Sequence, residues 1–154
     1  MAMHMRKCAF LQADIGSGMS KKSDAWLHLI QVVAAVENDL GKTLQAGHGL
    51  GLSEYRALAA LAQAENAELR MQDLASHLGL NQSSVSRMVE RLERAALTVR
   101  DLCPDDRRGV YTVLTDAGRA RLEQARPDYE RALSGALKKH QGDRFLSAGA
   151  PKAR

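Results

Sequence analysis

The residues best placed to do chemistry cluster in two short stretches. Gln82, Ser83, Ser84, Ser86 and Arg87 fall within six consecutive positions, and a charged turn, Cys103-Pro104-Asp105-Asp106-Arg107-Arg108-Gly109, follows some twenty residues later. The first set is short, polar and rich in hydrogen-bonding groups. Gln matches the adenine edge, Arg matches guanine or phosphate, and Ser matches either, so such a face suits recognition of base edges. A solvated helix face with ordinary capping serines presents the same pattern, and periodicity alone does not separate the two. In the second set an aspartate two residues from an arginine in a tight turn can hold the guanidinium in one direction, which lowers the entropy lost on binding. The competing reading is a surface turn whose ion pair is worth little. Arg100, just upstream, is equally well read as a phosphate contact or as an exposed side chain.

Bond-making chemistry finds no support. There is no nucleophile elbow, no phosphate-binding glycine loop and no carboxylate pair on a credible cleft. His4, His28, His48, His77 and His140 show no metal-ligand spacing, and Cys8 and Cys103, far apart in the chain, do not make a disulfide scaffold. The expectation is therefore a non-enzyme without metal or cofactor.

The elements that must position these residues follow from apolar spacing. Trp26, Leu29, Ile30, Val33, Val36 and Leu40 recur at three- and four-residue steps, predicting a helix capped by Ser23 and ended by Gly41. Gly47–Gly51 reads as a loop, and a second helix opens at Ser53. Residues 71–78 form a short helix with Leu74, Ala75 and Leu78 inward, and Gly79-Leu80-Asn81 is a turn. The next helix runs from Gln82 to about Ala96, with Val85, Met88, Val89 and Leu92 buried. Two strands, Leu97–Leu102 and Val110–Leu114, enclose the charged turn. Thr115 caps a further helix, broken, kinked or restarted at Pro127 and continuing to about His140. The fold class is mainly α with a small β-hairpin wing: a winged helix-turn-helix with helices before and after it.

Length and composition agree with one such domain. The chain has 154 residues, 45% apolar and only 4% aromatic, so a core is affordable but an aromatic platform for single-stranded nucleic acid is not. No apolar run can span a bilayer. Net charge is +4, yet residues 1–22 carry +3 and 138–154 carry +4, leaving 23–137 at −3. Any nucleic-acid argument must rest on local arginines, not on global basicity. Residues 1–22 are expected to be a leader or tag, 23–140 the domain (23–51 first helix and loop, 52–114 winged helix-turn-helix, 115–140 C-terminal helices) and 141–154 a tail.

The run LSEYRALAAL…LRMQDLASHLGLNQSSVSRMVERLERAAL…RDLCPDDRRGVYTVLTDAGRARL resembles the multiple-antibiotic-resistance-regulator (MarR) family of bacterial transcription factors. The likeness spans about residues 23–137 and is carried by LA-x-x-L-G-L-x-x-S-x-V-S-R and by D-x-R followed by L-T-x-x-G. It implies a cytoplasmic, nucleoid-associated homodimer whose terminal helices interlock, here through Leu29, Val33, Val36, Leu40, Leu133 and Leu137. Two lobes would read palindromic double-stranded DNA, repression being the expected sign. Asp106 and Arg108 match D-x-R, which places Arg108 in the minor groove, Asp106 as its orienting partner and Arg107 at a phosphate. A small, anionic or aromatic effector would bind near Trp26, His28, His48, Tyr55 and Arg56. The departure from the family is that the apolar pattern fades after Leu137, where another dimerising helix is usual. A winged helix serving as a protein-interaction module is the alternative.

Overall fold

The computed structural model describes residues 20–102 and 110–146. Among them are α1 (Lys21–His48), α2 (Leu52–Gln63), β1 (Glu68–Arg70), α3 (Met71–Leu78), α4 (Gln82–Arg94), β2 (Thr98–Leu102), β3 (Val110–Leu114), α5 (Asp116–Lys139) and α6 (Asp143–Leu146), with one 3-10 turn at Glu65–Ala67. The sheet is antiparallel in the order β1-β3-β2. Arg100 faces Thr112 across β2 and β3, and Arg70 faces Tyr111 across β1 and β3. The mainly helical winged helix expected from the sequence is the fold observed.

Two apolar clusters hold it. The larger joins α2, α3, α4 and the start of α5, with Leu58, Leu61, Leu74, Val85, Met88, Val89, Leu92 and Leu122 almost wholly buried. All four residues predicted to line the inner face of α4 are there, because i, i+3, i+4, i+7 spacing puts them on one stripe. The smaller cluster packs Val32, Val36, Leu40 and Ala136 between α1 and α5, with Leu133 and Leu137 against it.

Several boundaries differ from expectation. α1 is capped by the Ser20 side chain, which accepts from Ser23 N at 3.2 Å, and it runs past Gly41 to His48. The extension follows from Leu44, which continues the inward row Val32, Val36, Leu40 and is fully buried. That row shares Val36 and Leu40 with the predicted stripe, whereas Trp26, Ile30 and Val33 of the stripe are exposed. α5 continues through Pro127 without a break. β1 was not predicted, nor was α6, which lies within the expected tail.

Two glycines set the joints. Gly79 ends α3 at φ 64°, a left-handed conformation that bends the chain into Asn81, the cap of α4. Gly118 lies in the first turn of α5 directly against Leu97, where any Cβ would collide with the Leu97 carbonyl oxygen. Thr115 completes this joint: its Oγ1 accepts from Gly118 N at 3.0 Å and donates to the Ala96 carbonyl at 2.8 Å. The L-T-x-x-G spacing is thus a cap plus a close approach.

Candidate nucleic-acid interface

Burial of Val85, Met88, Val89 and Leu92 fixes which face of α4 looks outward. Gln82, Ser83, Ser84 and Arg87 are exposed and Ser86 is half-buried. Asn81 Oδ1 accepts from Ser84 N and from Ser83 Oγ, both at 2.8 Å, which orders the first turn. The helix is pinned from the side by a contact with no counterpart in local sequence. Glu54 Oε2 accepts from Gly51 N at 2.8 Å, while Glu54 Oε1 accepts from Arg91 Nε at 2.7 Å. One carboxylate therefore caps α2 and fixes the azimuth of α4.

Beside this face lies a cleft of about 340 Å³ lined by Arg70, Met71, Gln72, Gln82, Ser86, Arg100 and Val110. It separates α4 from the base of the wing. Arg70 Nε donates to Tyr111 Oη at 2.7 Å, and its guanidinium stacks 5.3 Å above the same ring. Arg70 and Gln72 were missed in the sequence, since nothing local marks them as neighbours of Gln82. Arg100 is exposed but paired: its Nε is 3.0 Å from Glu93 Oε1 and its Nη2 is 3.9 Å from Glu90 Oε1. Asp106, Arg107 and Arg108 lie outside the described residues, as does Cys103.

The five residues expected to form an effector pocket do not come together. Tyr55 and Arg56 do line one groove, of about 420 Å³, with Ala59, Ala60, Gln63, His77, Leu78, Arg126, Tyr129 and Glu130. It lies between α2, the end of α3 and α5. Tyr55 and Tyr129 stack with ring centroids 4.4 Å apart, and burial pushes the Tyr55 phenol above its usual value. Arg56 also donates to Glu37 on α1 at 2.7 Å, and the Arg126 guanidinium is held by Glu123 at 2.8 Å. His48 is engaged elsewhere, its Nε2 2.9 Å from Asp128 Oδ2. Trp26 is 61% exposed on α1. His28 faces Phe145 of α6 at 6.0 Å. Helical spacing places residues on faces of their own helix but does not say which faces of different helices meet.

The expected dimerisation residues divide likewise. Val36 and Leu40 are buried within the protomer against α5, and Leu133 and Leu137 pack on the same cluster. Val33 is 46% exposed and Leu29 half-buried. With Trp26, Leu27 and Ile30 also exposed, the N-terminal half of α1 shows apolar side chains outward as well as inward. Among the described residues no helix is long and apolar enough to cross a membrane, and no group of three or more His, Cys, Asp or Glu could hold a metal ion.

Comparison with known proteins places these features. Residues 48–109 match the model of the MarR family. The HTH-type transcriptional regulator YdgJ of Bacillus subtilis is 27% identical over 109 residues, covering 71% of this chain and 65% of YdgJ. The chain thus spans less than two thirds of that relative's length. Sco3205 of Streptomyces coelicolor, a MarR family transcriptional regulator solved in complex with DNA, superposes with a TM-score of 0.73 at 27% identity, over 90% of this chain and 94% of that one. NadR, solved in complex with 4-hydroxyphenylacetate, superposes with a TM-score of 0.65 at 25% identity, over 84% of this chain and 90% of that one.

Proposed function

We propose that the chain, which is similar to the MarR family over residues 48–109 and superposes on winged-helix members of it, is a homodimeric, DNA-binding transcriptional regulator, a repressor released by a small effector in the bacterial cytoplasm. The observation that carries this reading is α4. Its apolar stripe is locked in the core, Glu54 pins its azimuth, and its outward face is Gln82, Ser83, Ser84, Ser86 and Arg87. That is the arrangement a helix needs to enter a major groove, with side chains short enough for close approach.

Arg108 reads the minor groove in this proposal, oriented by Asp106, with Arg107 on an adjacent phosphate. Two lobes of a dimer would meet palindromic half-sites about 10 bp apart. The exposed Trp26, Leu27, Ile30 and Val33 support the dimer, because such a row on one helix is costly to leave in water. The groove of Tyr55, Arg56, Arg126 and Tyr129 is the proposed effector site. Its stacked phenols and two guanidiniums suit a small aromatic anion, which is the class of the acid bound by NadR. Glu54, which holds Arg91 of α4, is adjacent in sequence to Tyr55 and Arg56. A ligand that shifts this turn of α2 would change the presentation of α4, and affinity for ligand and DNA would be linked.

The test begins with duplexes selected from a random library by the wild-type protein, followed by fluorescence anisotropy at several salt concentrations. The expected result is selective, salt-dependent binding, weakened by Arg87→Ala and reversed by millimolar 4-hydroxyphenylacetate. Failure of selection by a confirmed dimer would overturn DNA binding in favour of a protein-interaction module. DNA binding indifferent to a panel of aromatic acids would overturn the effector assignment alone.

A further inference from the structure

Glu90 is out of place on a surface meant for a polyanion. With Val85, Met88, Val89 and Leu92 buried, the opposite face of α4 carries Ser83, Arg87, Glu90 and Arg94, all exposed. Glu90 therefore lies about one turn beyond Arg87, on the side that faces outward. Glu93 is half-buried toward the wing. Two carboxylates so placed would repel any phosphate drawn in by Arg87.

Arg100 meets both. It projects from β2 to within 3.0 Å of Glu93 and 3.9 Å of Glu90, and Ser86 Oγ donates to the same Glu90 oxygen at 3.4 Å. The side chains are 38% exposed for Arg100, 54% for Glu90 and 25% for Glu93. At that exposure the pairs add little to folding stability. Their effect is on the field at the surface of α4. We propose that Arg100 is a positioning and charge-screening residue for DNA binding, which holds the Glu90 and Glu93 carboxylates against the wing and offsets part of their field, and that it does not itself contact a phosphate. The choice between the two roles follows from charge. Turning Arg100 to a phosphate would create one attraction while leaving two carboxylates uncompensated beside the same backbone, whereas keeping it in place weakens both repulsions. This proposal rests on the DNA-binding reading above.

The experiment measures affinity for the wild-type-selected duplex across a salt series for Arg100→Ala, for the pair Glu90→Gln with Glu93→Gln, and for all three changes together. Thermal melting checks each variant, and Arg100→Gln replaces the alanine if that variant melts early. Screening predicts that Arg100→Ala binds roughly tenfold more weakly. It also predicts that the triple variant returns to within about threefold of wild type, and that the double variant binds more tightly than wild type, because only repulsion was removed. A loss that persists in the triple variant, with the salt slope reduced by about one, assigns Arg100 to a phosphate and overturns the proposal. A loss of affinity in the double variant, where tightening is expected, makes a carboxylate a direct base contact and overturns it too. If wild type selects no duplex, the DNA-binding reading falls first and this role falls with it.

Discussion

Gly118→Ala tests how the wing is joined to the helix behind it. An added Cβ would overlap the Leu97 carbonyl oxygen and stand 2.8 Å from Leu114 Cδ1 and 3.0 Å from the Leu97 carbonyl carbon. Leu114 can change rotamer, but the Leu97 backbone is tied at both ends: its carbonyl accepts from Thr115 N at 3.1 Å and its N–H donates to the Leu92 carbonyl at 2.9 Å. Forcing a methyl group into packed surroundings costs about 1–3 kcal/mol. Loss of the Thr115 hydrogen bond adds about 1 kcal/mol. Alanine in place of glycine in a helix returns at most about 1 kcal/mol. The net is a destabilisation of about 1–3 kcal/mol, or a fall in Tm of roughly 3–10 °C for a domain of this size. Gly135, on the same helix, is the control. A Cβ there meets nothing within 4 Å, so Gly135→Ala should stabilise by about 0.4–1 kcal/mol. Calorimetry on the two variants reads opposite signs if the argument holds. A Gly118→Ala protein that melts at or above wild type would refute it.

Three further outcomes are expected. Hydrogen bonds from Lys139 and then His140 hold the Asp39 carboxyl below its usual value of 3.8, and bonds from His48 and then Arg131 do the same for Asp128. A carboxyl lowered on folding stabilises fully above its unfolded value and loses that contribution as the pH falls through its folded value. The grip between α1 and α5 should therefore weaken below about pH 4, and Asp39→Asn with Asp128→Asn should flatten that acid limb in urea titrations; parallel wild-type and variant curves would refute it. If Arg108 reads a minor groove as proposed, Arg108→Ala should weaken DNA binding by about 1–3 kcal/mol and relax base preference at the position it contacts, read by anisotropy on duplexes varied there. Arg126→Ala should lower the potency of an anionic aromatic effector while leaving effector-free DNA affinity near wild type, and equal potency would remove Arg126 from the site.

Legibility in the sequence followed the range of the interactions. The inner stripe of α4 and the cap at Asn81 depend on neighbours within one or two turns, so spacing alone located them. The wing strands were found from their β-branched residues and the charged turn between them. β1 offered no such signal: Glu68, Leu69 and Arg70 form a strand because β3 presents an edge to Glu68–Arg70 through Val113, Thr112 and Tyr111. On α1 the expected stripe divides, with Val36 and Leu40 buried and Trp26, Ile30 and Val33 exposed. The N-terminal half of the helix is apolar around much of its circumference, so the stripe through Trp26, Ile30 and Val33 and the row through Val32 and Val36 are both periodic. Only α5 decides which is inside.

The region least legible in sequence is also where the proposed function converges. Glu54, Tyr55 and Arg56 are consecutive, and each engages a different helix: Glu54 holds Arg91 of α4, Tyr55 stacks on Tyr129 of α5, and Arg56 pairs with Glu37 of α1. Their partners lie 37, 74 and 19 positions away, so no window of local sequence contains any of these contacts. Three divergent contacts on one turn make that turn stiff, since it cannot rotate toward one partner without leaving another. Stiffness is what a transmitted displacement requires, because a soft turn would absorb the movement. A ligand wedged between Tyr55 and Arg126 would therefore act on Arg91 through one intervening residue. Cutting the Glu54–Arg91 bond should uncouple effector from DNA affinity even where each is still bound.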